Sequence, residues 1–239
     1  MARNYGVLTK ELKVNAAHTA MNGSMRLSSV FAVFQEIASL DASRIGYGTD
    51  FTSAKNYLWM IVKSCLKVHR MPKYLETVNV TTWTGKSGHG LFLRHYEITD
   101  TNGNSLIQSN ATWVLVDSDT RVLVPEPGAE FENIITGREI SVSKRIRLPE
   151  MNNSVDVYAK YSQIDINQHM NNTKYFDIAE DLIPLDYLLS HEVSEASVDY
   201  FNEIKPEECA HIKWSNMEDS WYFTGDSDKN CFSLKISFK

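Results

Sequence analysis

The segment DINQHMNN, residues 165–172, carries six side chains that can donate, accept or exchange a proton within eight positions. Asp165, Asn167 and His169 are spaced two residues apart, so in an extended segment their side chains would share one face. A helix that begins just after them would add free backbone N–H groups, which favour negative charge. A carboxylate, an amide, an imidazole and a helix start are the groups that acyl transfer or hydrolysis requires.

Two other interpretations of this segment stay open from the residues alone. Asn and Asp cluster in turns for local hydrogen-bonding reasons, so the segment is also typical of a polar loop with Asn171 or Asn172 as a helix N-cap. Asp165 and His169 could instead bind a metal ion, but that requires further ligands, and no second cluster of His or Cys lies nearby in the sequence. The helices and strands predicted on either side of the segment are needed to decide between these interpretations.

The first half of the chain predicts one strand, one long helix and four more strands. Residues 5–14 form the first predicted strand. Residues 24–46 carry apolar side chains at helical spacing and end at Gly46, a frequent helix stop. Four strand-like segments follow, the last two joined by an Asn-Gly turn, at residues 57–68, 76–86, 91–100 and 105–117.

The second half predicts the same order of elements. A strand over 155–165 leads into a helix over 171–183. Four strands follow, near 193–204, 208–216, 219–225 and 231–238. Individual residues also match between the halves, namely Asn22 with Asn167, Met25 with Met170, Phe31 with Phe176 and Pro72 with Pro206.

Two copies of a strand–helix–four-strand unit predict a tandem, or double, hotdog fold of the α+β class, in which each antiparallel sheet wraps around a long helix. A sheet with one uncovered apolar face is unstable, so we expect the two sheets to pair edge to edge over one core. We expect the first unit over residues 1–120, a connector over 121–150 that is broken by prolines, and the second unit over 151–239.

The two copies differ at the chemically capable positions. The first-half counterparts of the three motif residues are Ala20, Asn22 and Ser24, so only the asparagine is retained. A junction that is merely structural has no reason to lose its titrating groups in one copy. The difference therefore favours a duplicated enzyme that keeps one active site.

Composition narrows the classes of protein that remain. The 239 residues carry a formal charge of −6, which argues against a general nucleic-acid binder. Cys65, Cys209 and Cys231 are too few and too scattered for a disulfide framework or a metal site. The N-terminus has no apolar run typical of a signal peptide, and no apolar stretch is long enough to span a membrane. We expect a soluble, cytoplasmic protein.

The segment YSQIDINQHMNNTKY resembles the signature of the acyl-[acyl carrier protein] thioesterases, bacterial relatives of the plastid enzymes that end fatty-acid synthesis. The resemblance continues through NGSMRLSSVFAVFQEIA, RMPKYLETV and KRIRLPE. It implies a double hotdog that cleaves an acyl thioester with water, using Asp165, Asn167, His169 and, in VDYFNEI, Glu203. Plant members carry a cysteine after this glutamate, whereas this chain has Ile204, so a site without a thiol is implied.

The resemblance also implies roles for these residues. Glu203, helped by His169, would act as base, and which of the two takes the proton stays open. Asn167 would position the water or the carbonyl group, Asp165 would hold Asn167 and His169 in place, and backbone N–H groups at the start of the second helix would bind the oxyanion. We expect no cofactor and no metal. The first unit would bind the acyl tail, and its predicted wall residues are Val30, Phe31, Phe34 and Trp59.

The implied partner is an acyl carrier protein, which is acidic, so a local positive patch is expected on this net-negative chain. The two candidate clusters are Lys144, Arg145 and Arg147, and Lys63, Lys67, Arg70 and Lys73. Alternatives are a hotdog thioesterase that acts on acyl-coenzyme A and a non-catalytic acyl-binding module. The oligomeric state stays open, with a homodimer as one option.

Overall fold

The computed structural model describes residues 6–124, 136–141 and 145–239. In these ranges ten antiparallel strands form one sheet, and two principal helices, one of 18 and one of 9 residues, lie against it. The strands are β1 (Leu8–Lys13), β2 (Tyr57–Val68), β3 (Thr77–Thr84), β4 (Leu91–Asp100), β5 (Ser105–Asp117), β6 (Asn153–Tyr158), β7 (Val193–Tyr200), β8 (Cys209–Met217), β9 (Ser220–Asp226) and β10 (Asn230–Phe238). The helices are α1 (Leu27–Arg44), α2 (Thr49–Lys55), α3 (Lys174–Leu182) and α4 (Leu185–Ser190).

The sheet has the same strand order in both halves. Its order is β1-β3-β4-β5-β2-β7-β10-β9-β8-β6, so each half, counted inwards from its edge, follows the same plan. Strands β2 and β7 join the halves through five residue pairs, from Lys63 with Asp199 to Lys67 with Glu195. The expected edge-to-edge pairing of two hotdog sheets is confirmed.

The core is common to both halves because the two principal helices touch. Helix α1 has 18 residues and buries Leu27, Val30, Phe31, Phe34, Ile37 and Ala38. Helix α3 has only 9 residues. Phe31 stacks on Phe176 with ring centroids 4.1 Å apart and planes 12° from parallel. These two residues are counterparts in the repeat, so the stack marks the pseudo-twofold axis between the units.

The repeat extends to backbone hydrogen bonds at the strand-to-helix junctions. The N–H of Ala20 donates to the carbonyl of Ser24, and the N–H of Asp165 donates to the carbonyl of His169. The turn inside each junction needs a positive φ, which is +73° at Gly23 and +65° in the second half. The tandem double-hotdog fold is therefore visible in the main chain as well as in the topology.

One residue match between the halves is wrong by two positions. The N–H of Met25 donates to the carbonyl of Pro72, whereas the N–H of Met170 donates to the carbonyl of Ile204. Pro72 therefore corresponds to Ile204 and not to Pro206. The proline is not shared between the halves because the two prolines occupy different places in the loop.

Several element boundaries differ from the sequence prediction. Helices α2 and α4 were not predicted, because seven and six residues are too short to show a helical period. Strand β6 ends at Tyr158, and residues 161–163 form a 3₁₀ turn instead of continuing the strand. Strand β7 ends at Tyr200. Both shortenings leave loops on either side of the strand-to-helix junction of the second half.

Residues 136–141 of the predicted connector pack against the first half of the sheet. Trp83 Nε1 donates to the carbonyl of Arg138 at 2.5 Å, and Asn110 Nδ2 donates to the carbonyl of Ile140 at 2.9 Å. Pro125, Pro127 and Gly128 lie outside the described residues. No helix in the described ranges is long and apolar enough to cross a membrane.

Candidate active site

The loop that carries the motif is a tight turn and not an extended segment, so the predicted geometry is wrong. Asp165 Oδ1 accepts a hydrogen bond from the N–H of Asn167 at 2.8 Å, and the N–H of Gln168 donates to the carbonyl of Asp165 at 3.0 Å. Gln168 has a φ of +65°, which closes the turn. The side chains of Asn167 and His169 converge because the backbone turns, since Asx turns of this kind fold a short segment on itself.

His169 and Glu203 face each other across the loop. His169 Nε2 lies 3.6 Å from Glu203 Oε1, and only 8% of His169 is exposed. His169 Nδ1 lies 3.1 Å from the carbonyl of Met170, so a proton on Nδ1 is held there and Nε2 is left towards the carboxylate. Glu203 Oε1 is buried and accepts no hydrogen bond from the described residues. Such an oxygen is available to a small polar ligand.

A cavity of about 80 Å³ opens at this pair. Asn167, His169 and Glu203 all line it, together with Trp59, Met60, Ile61, Val62, Asn172, Tyr175, Tyr200, Phe201 and Asn202. Three of the four residues expected from the sequence therefore meet in one space.

Asp165 does not line this cavity. Its second carboxylate oxygen accepts from Asn171 Nδ2 at 3.2 Å, while the first accepts from the N–H of Asn167. Asn171 in turn accepts from the N–H of Thr173 at 3.0 Å through its side-chain oxygen. The carboxylate therefore ties both ends of the loop together. Both of these contacts are made within the loop itself.

The start of α3 differs from the prediction by one or two residues. The N-cap is Thr173, and not Asn171 or Asn172. The N–H of Lys174 donates to the carbonyl of Asn171 at 2.9 Å. The N–H of Asn172 has no hydrogen-bond partner in the part of the chain that the structure describes. Tyr200 Oη donates to the carbonyl of Asn172 at 2.8 Å and fixes this residue beside the small cavity.

Arg121 is a residue at this site that the sequence analysis missed. Its Nε lies 3.5 Å from Glu203 Oε1, so a guanidinium and an imidazole flank the same carboxylate oxygen. Arg121 follows β5 and has a φ of +59°. The contact joins opposite halves of the chain, and no local sequence signal marks it.

A larger cavity of about 270 Å³ lies in the first half of the molecule. It lies between the C-terminal half of α1, helix α2 and the strands of the first unit. Its lining includes Gln35, Ala38, Ser39, Ala42, Ile45, Leu58, Trp59, Phe92, Trp113 and Asn167. Trp59 and Asn167 line both cavities, so the two spaces are neighbours at the motif.

The expected wall residues of this cavity are only partly correct. Trp59 lines it, but Val30, Phe31 and Phe34 do not. Phe31 stacks on the second helix, and Phe34 stacks on Tyr96 at 4.7 Å, so these side chains fill the core. The cavity lies beside the next turns of α1, where the side chains are small. Periodicity identified the buried face of the helix but could not show which of its turns meets empty space.

The three cysteines line neither of the two cavities. Cys65 and Cys231 are buried, and burial raises the pKa of Cys231 above its ordinary value. Cys209 begins β8 and lines neither cavity described above. A raised pKa keeps a thiol protonated and a poor nucleophile. Across residues 6–124, 136–141 and 145–239, no group of three or more His, Cys, Asp or Glu side chains could hold a metal ion.

Comparisons with known proteins match the chain in two segments. Residues 6–127 match the acyl-ACP thioesterase N-terminal domain, and residues 147–235 match the acyl-ACP thioesterase C-terminal domain. A palmitoyl-acyl carrier protein thioesterase of Gossypium hirsutum is 28% identical over 66% of this chain and 41% of its own length. A dodecanoyl-[acyl-carrier-protein] hydrolase of Cinnamomum camphora is 28% identical over 76% of this chain and 53% of its own length.

Solved structures show the same fold. An acyl-ACP thioesterase from Bacteroides thetaiotaomicron superposes with a TM-score of 0.89 over 98% of both chains at 20% identity. A 12:0-ACP thioesterase from Umbellularia californica superposes with a TM-score of 0.84 over 98% of this chain and 94% of its own at 19% identity. The chain spans about half the length of the two plant relatives matched by sequence. The two matched segments nevertheless cover most of this chain, which belongs to the acyl-ACP thioesterase family.

Proposed function

We propose that this protein hydrolyses the thioester of a fatty acyl-[acyl carrier protein] and releases the free fatty acid, which ends chain elongation. One observation carries the proposal. An imidazole and a carboxylate 3.6 Å apart, with an amide beside them, line a small cavity that adjoins a larger, mostly apolar one. A thioester needs both environments, because its carbonyl group reacts with water while its tail must be kept from water.

In the proposed reaction, water enters the small cavity between Asn167 and the pair of His169 and Glu203. The water oxygen forms a bond to the carbonyl carbon as one of its protons passes to the pair, and the carbonyl oxygen becomes an oxyanion. The oxyanion then reforms the carbonyl bond, the carbon–sulfur bond breaks, and the sulfur leaves with the proton held by the pair. One water and one thioester give one acid and one thiol, without a covalent enzyme intermediate.

The contacts of the four residues support the roles proposed for them. Glu203 is the better candidate for the base, because its Oε1 is buried and free of hydrogen bonds from the described residues. His169, fixed through Nδ1, can share the proton through Nε2. Asn167 lies where the two cavities adjoin and can orient the water or the carbonyl group. Asp165 acts through the loop that it holds.

We propose that the acyl tail occupies the cavity of about 270 Å³ in the first unit. The proposed division is a tail-binding unit over residues 1–120, a connector over 121–150 and a catalytic unit over 151–239. The position of Asn167 on both cavities supports it, because a thioester placed there has its tail on one side and the catalytic pair on the other.

The partner is proposed to dock through positive charge near the small cavity. Of the two expected clusters, Lys144 lies outside the described residues, and Arg70 is paired with Glu76. Lys63 follows the β2 segment that lines the small cavity, and its Nζ lies 3.6 Å from Asp199 Oδ1, so it too is ion-paired. Lys63→Glu should raise KM for carrier-bound substrate but not for a small thioester with the same acyl group. An unchanged KM for the carrier would place docking elsewhere.

The deciding experiment compares hydrolysis of one acyl group on acyl carrier protein and on coenzyme A. We expect higher kcat/KM with the carrier protein. Faster turnover of the coenzyme A ester would favour the acyl-coenzyme A thioesterase, and tight binding without turnover would favour the acyl-binding module. The cytoplasmic location and the homodimer stay predictions, which cell fractionation and light scattering would test.

A further inference from the structure

The antiparallel contact of α1 and α3 places residues of each helix at the start of the other. Phe31 stacks on Phe176 at the centre of this contact. Four residues before Phe31 on α1 is Leu27, and four residues after Phe176 on α3 is Glu180; the N–H of Leu27 interacts with the Glu180 carboxyl group. Gln35 lies four residues after Phe31, and Asn172 lies four residues before Phe176. Because side chains four residues apart lie on one helix face, Gln35 and Asn172 are expected at the same level along the helix pair.

The starts of α1 and α3 therefore differ in the side chain of the other helix that corresponds to each. The start of α1, in the half without the catalytic pair, is covered by a carboxyl group. The counterpart of Glu180 in the first half is Gln35, whose side chain is a neutral amide, and the N–H of Asn172 at the start of α3 has no partner within the described ranges. Gln35 lines the larger cavity together with Asn167, and Asn172 lines the smaller one.

We propose that Gln35, on the helix of the first unit, contacts the thioester in the site of the second unit. Its side-chain N–H group donates a hydrogen bond to the carbonyl oxygen, which also accepts from the N–H of Asn172. The inference rests on the proposed function, and it makes the active site a product of both halves of the chain.

The chemistry explains why an amide and not a carboxylate is found at position 35. Negative charge develops on the carbonyl oxygen as water attacks, and a fixed N–H donor stabilises it. A carboxylate can only accept hydrogen bonds when ionised, and it would add a second negative charge beside the oxyanion. Glu180, the counterpart of Gln35, lines neither cavity and can keep its carboxyl group at no cost to catalysis.

The test measures kcat and KM for an acyl-[acyl carrier protein] substrate with Gln35→Met, Gln35→Glu and, as matched control, Glu180→Gln. Loss of one oxyanion donor lowers kcat by about 10²-fold, so we expect that fall for Gln35→Met with little change in KM. Gln35→Glu should be slower still, and Glu180→Gln should keep the wild-type kcat. Circular dichroism establishes that each variant is folded.

Wild-type kcat in folded Gln35→Met or Gln35→Glu would overturn the inference. Gln35→Glu changes the shape of the side chain least, so it decides the matter if the methionine variant does not fold. A wild-type protein that hydrolyses no acyl thioester would overturn the proposed function and this inference together. An active wild-type protein with an inactive His169→Ala variant and fully active Gln35 variants would overturn this inference alone.

Discussion

The two halves of the molecule share a backbone and differ in a few side chains. In the second half the junction carries Asp165, Asn167 and His169, and the loop after β7 adds Glu203. In the first half the four counterparts are Ala20, Asn22, Ser24 and, from the register of the loop after β2, Met71. The hydrogen bonds that shape both junctions are retained. The scaffold of the site is therefore independent of the chemistry placed on it.

For the two principal helices the difference is reversed, because the first half has the longer one. Helix α1 continues for two and a half turns beyond the length of α3, and Ala38, Ser39 and Ala42 on those turns line the larger cavity. The second half has no counterpart of these turns, because α3 ends at Leu182. One half thus retains the titrating groups and the other the long helix, and the proposed reaction needs both.

The largest expected effect comes from removing the titrating groups. His169→Ala and Glu203→Ala should each lower kcat by about 10²-fold or more, the usual contribution of a general acid or base. Ser24→Ala, at the first-half counterpart of His169, should leave kcat unchanged. Steady-state hydrolysis of the carrier-bound thioester measures all three. Near-wild-type turnover of a folded His169 or Glu203 variant would remove that residue from the mechanism.

The next effect concerns the long helix. Ala38→Leu or Ala42→Leu should shorten the preferred acyl chain, because each fills part of the larger cavity. Excluding two methylene groups is worth about 1.6 kcal/mol, which changes the ratio of kcat/KM between two chain lengths about tenfold. Ala32→Leu, on the exposed side of α1, is the matched control. A wild-type chain-length profile in both cavity variants would place the tail outside the first unit.

A smaller effect is expected at the covered helix start of the first half. Desolvation raises the pKa of Glu180 to about 7, with a further rise from Asp177 and an opposing effect of the Leu27 N–H. The folded state therefore holds this proton more tightly than the unfolded chain does. The contribution of Glu180 to the free energy of unfolding is fully present below the pKa that this group has in the unfolded chain. It falls as pH rises towards 7, because the charged form is disfavoured in the fold.

Glu180→Gln removes this penalty, since the amide stays neutral. We expect the variant to gain stability over the wild type on the order of 1 kcal/mol at about pH 8, and the gain should vanish at about pH 4. Urea unfolding at both pH values measures it. The exposed Glu36→Gln on α1 is the control and should show no such pH dependence. An equal gain at both pH values would mean that the carboxyl group does not titrate as described.

The smallest effect is expected from the thiols. Replacement of Cys65, Cys209 and Cys231 by alanine should leave kcat near the wild-type value, because the proposed mechanism uses no thiol. Alanine is preferred to serine since two of the three side chains are buried and a hydroxyl group there would lack partners. Loss of turnover that follows Cys209→Ala alone would instead indicate a covalent mechanism centred on the second half.

The sequence predicted the fold well because its signals are long and repeated. Eighteen residues of helical period in α1 and the strict alternation in β10 leave little ambiguity. Short helices such as α2 have no such signal, although α2 contributes Thr49 and Thr52 to the cavity wall.

The site was predicted by residue type more than by geometry. Asp165, Asn167 and His169 were expected to share the face of a strand, whereas an Asx turn brings the last two together. Glu203 came from family resemblance, and Arg121 had no signal at all. Contacts such as these depend on how β7 and the end of β5 meet in space, which no local pattern encodes.

The β2–β7 junction has a consequence for how the chain folds. Each half of the sheet can assemble from hairpins and neighbouring strands, but β2 and β7 bring together residues from opposite halves of the chain, with the greater loop-closure entropy that such contacts carry. The junction should therefore be among the last contacts to form. Substitution at Ser197, in the middle of β7, should speed unfolding and leave the folding rate almost unchanged, a φ-value near zero. The active site, which spans both halves, would then be assembled only in the final step of folding.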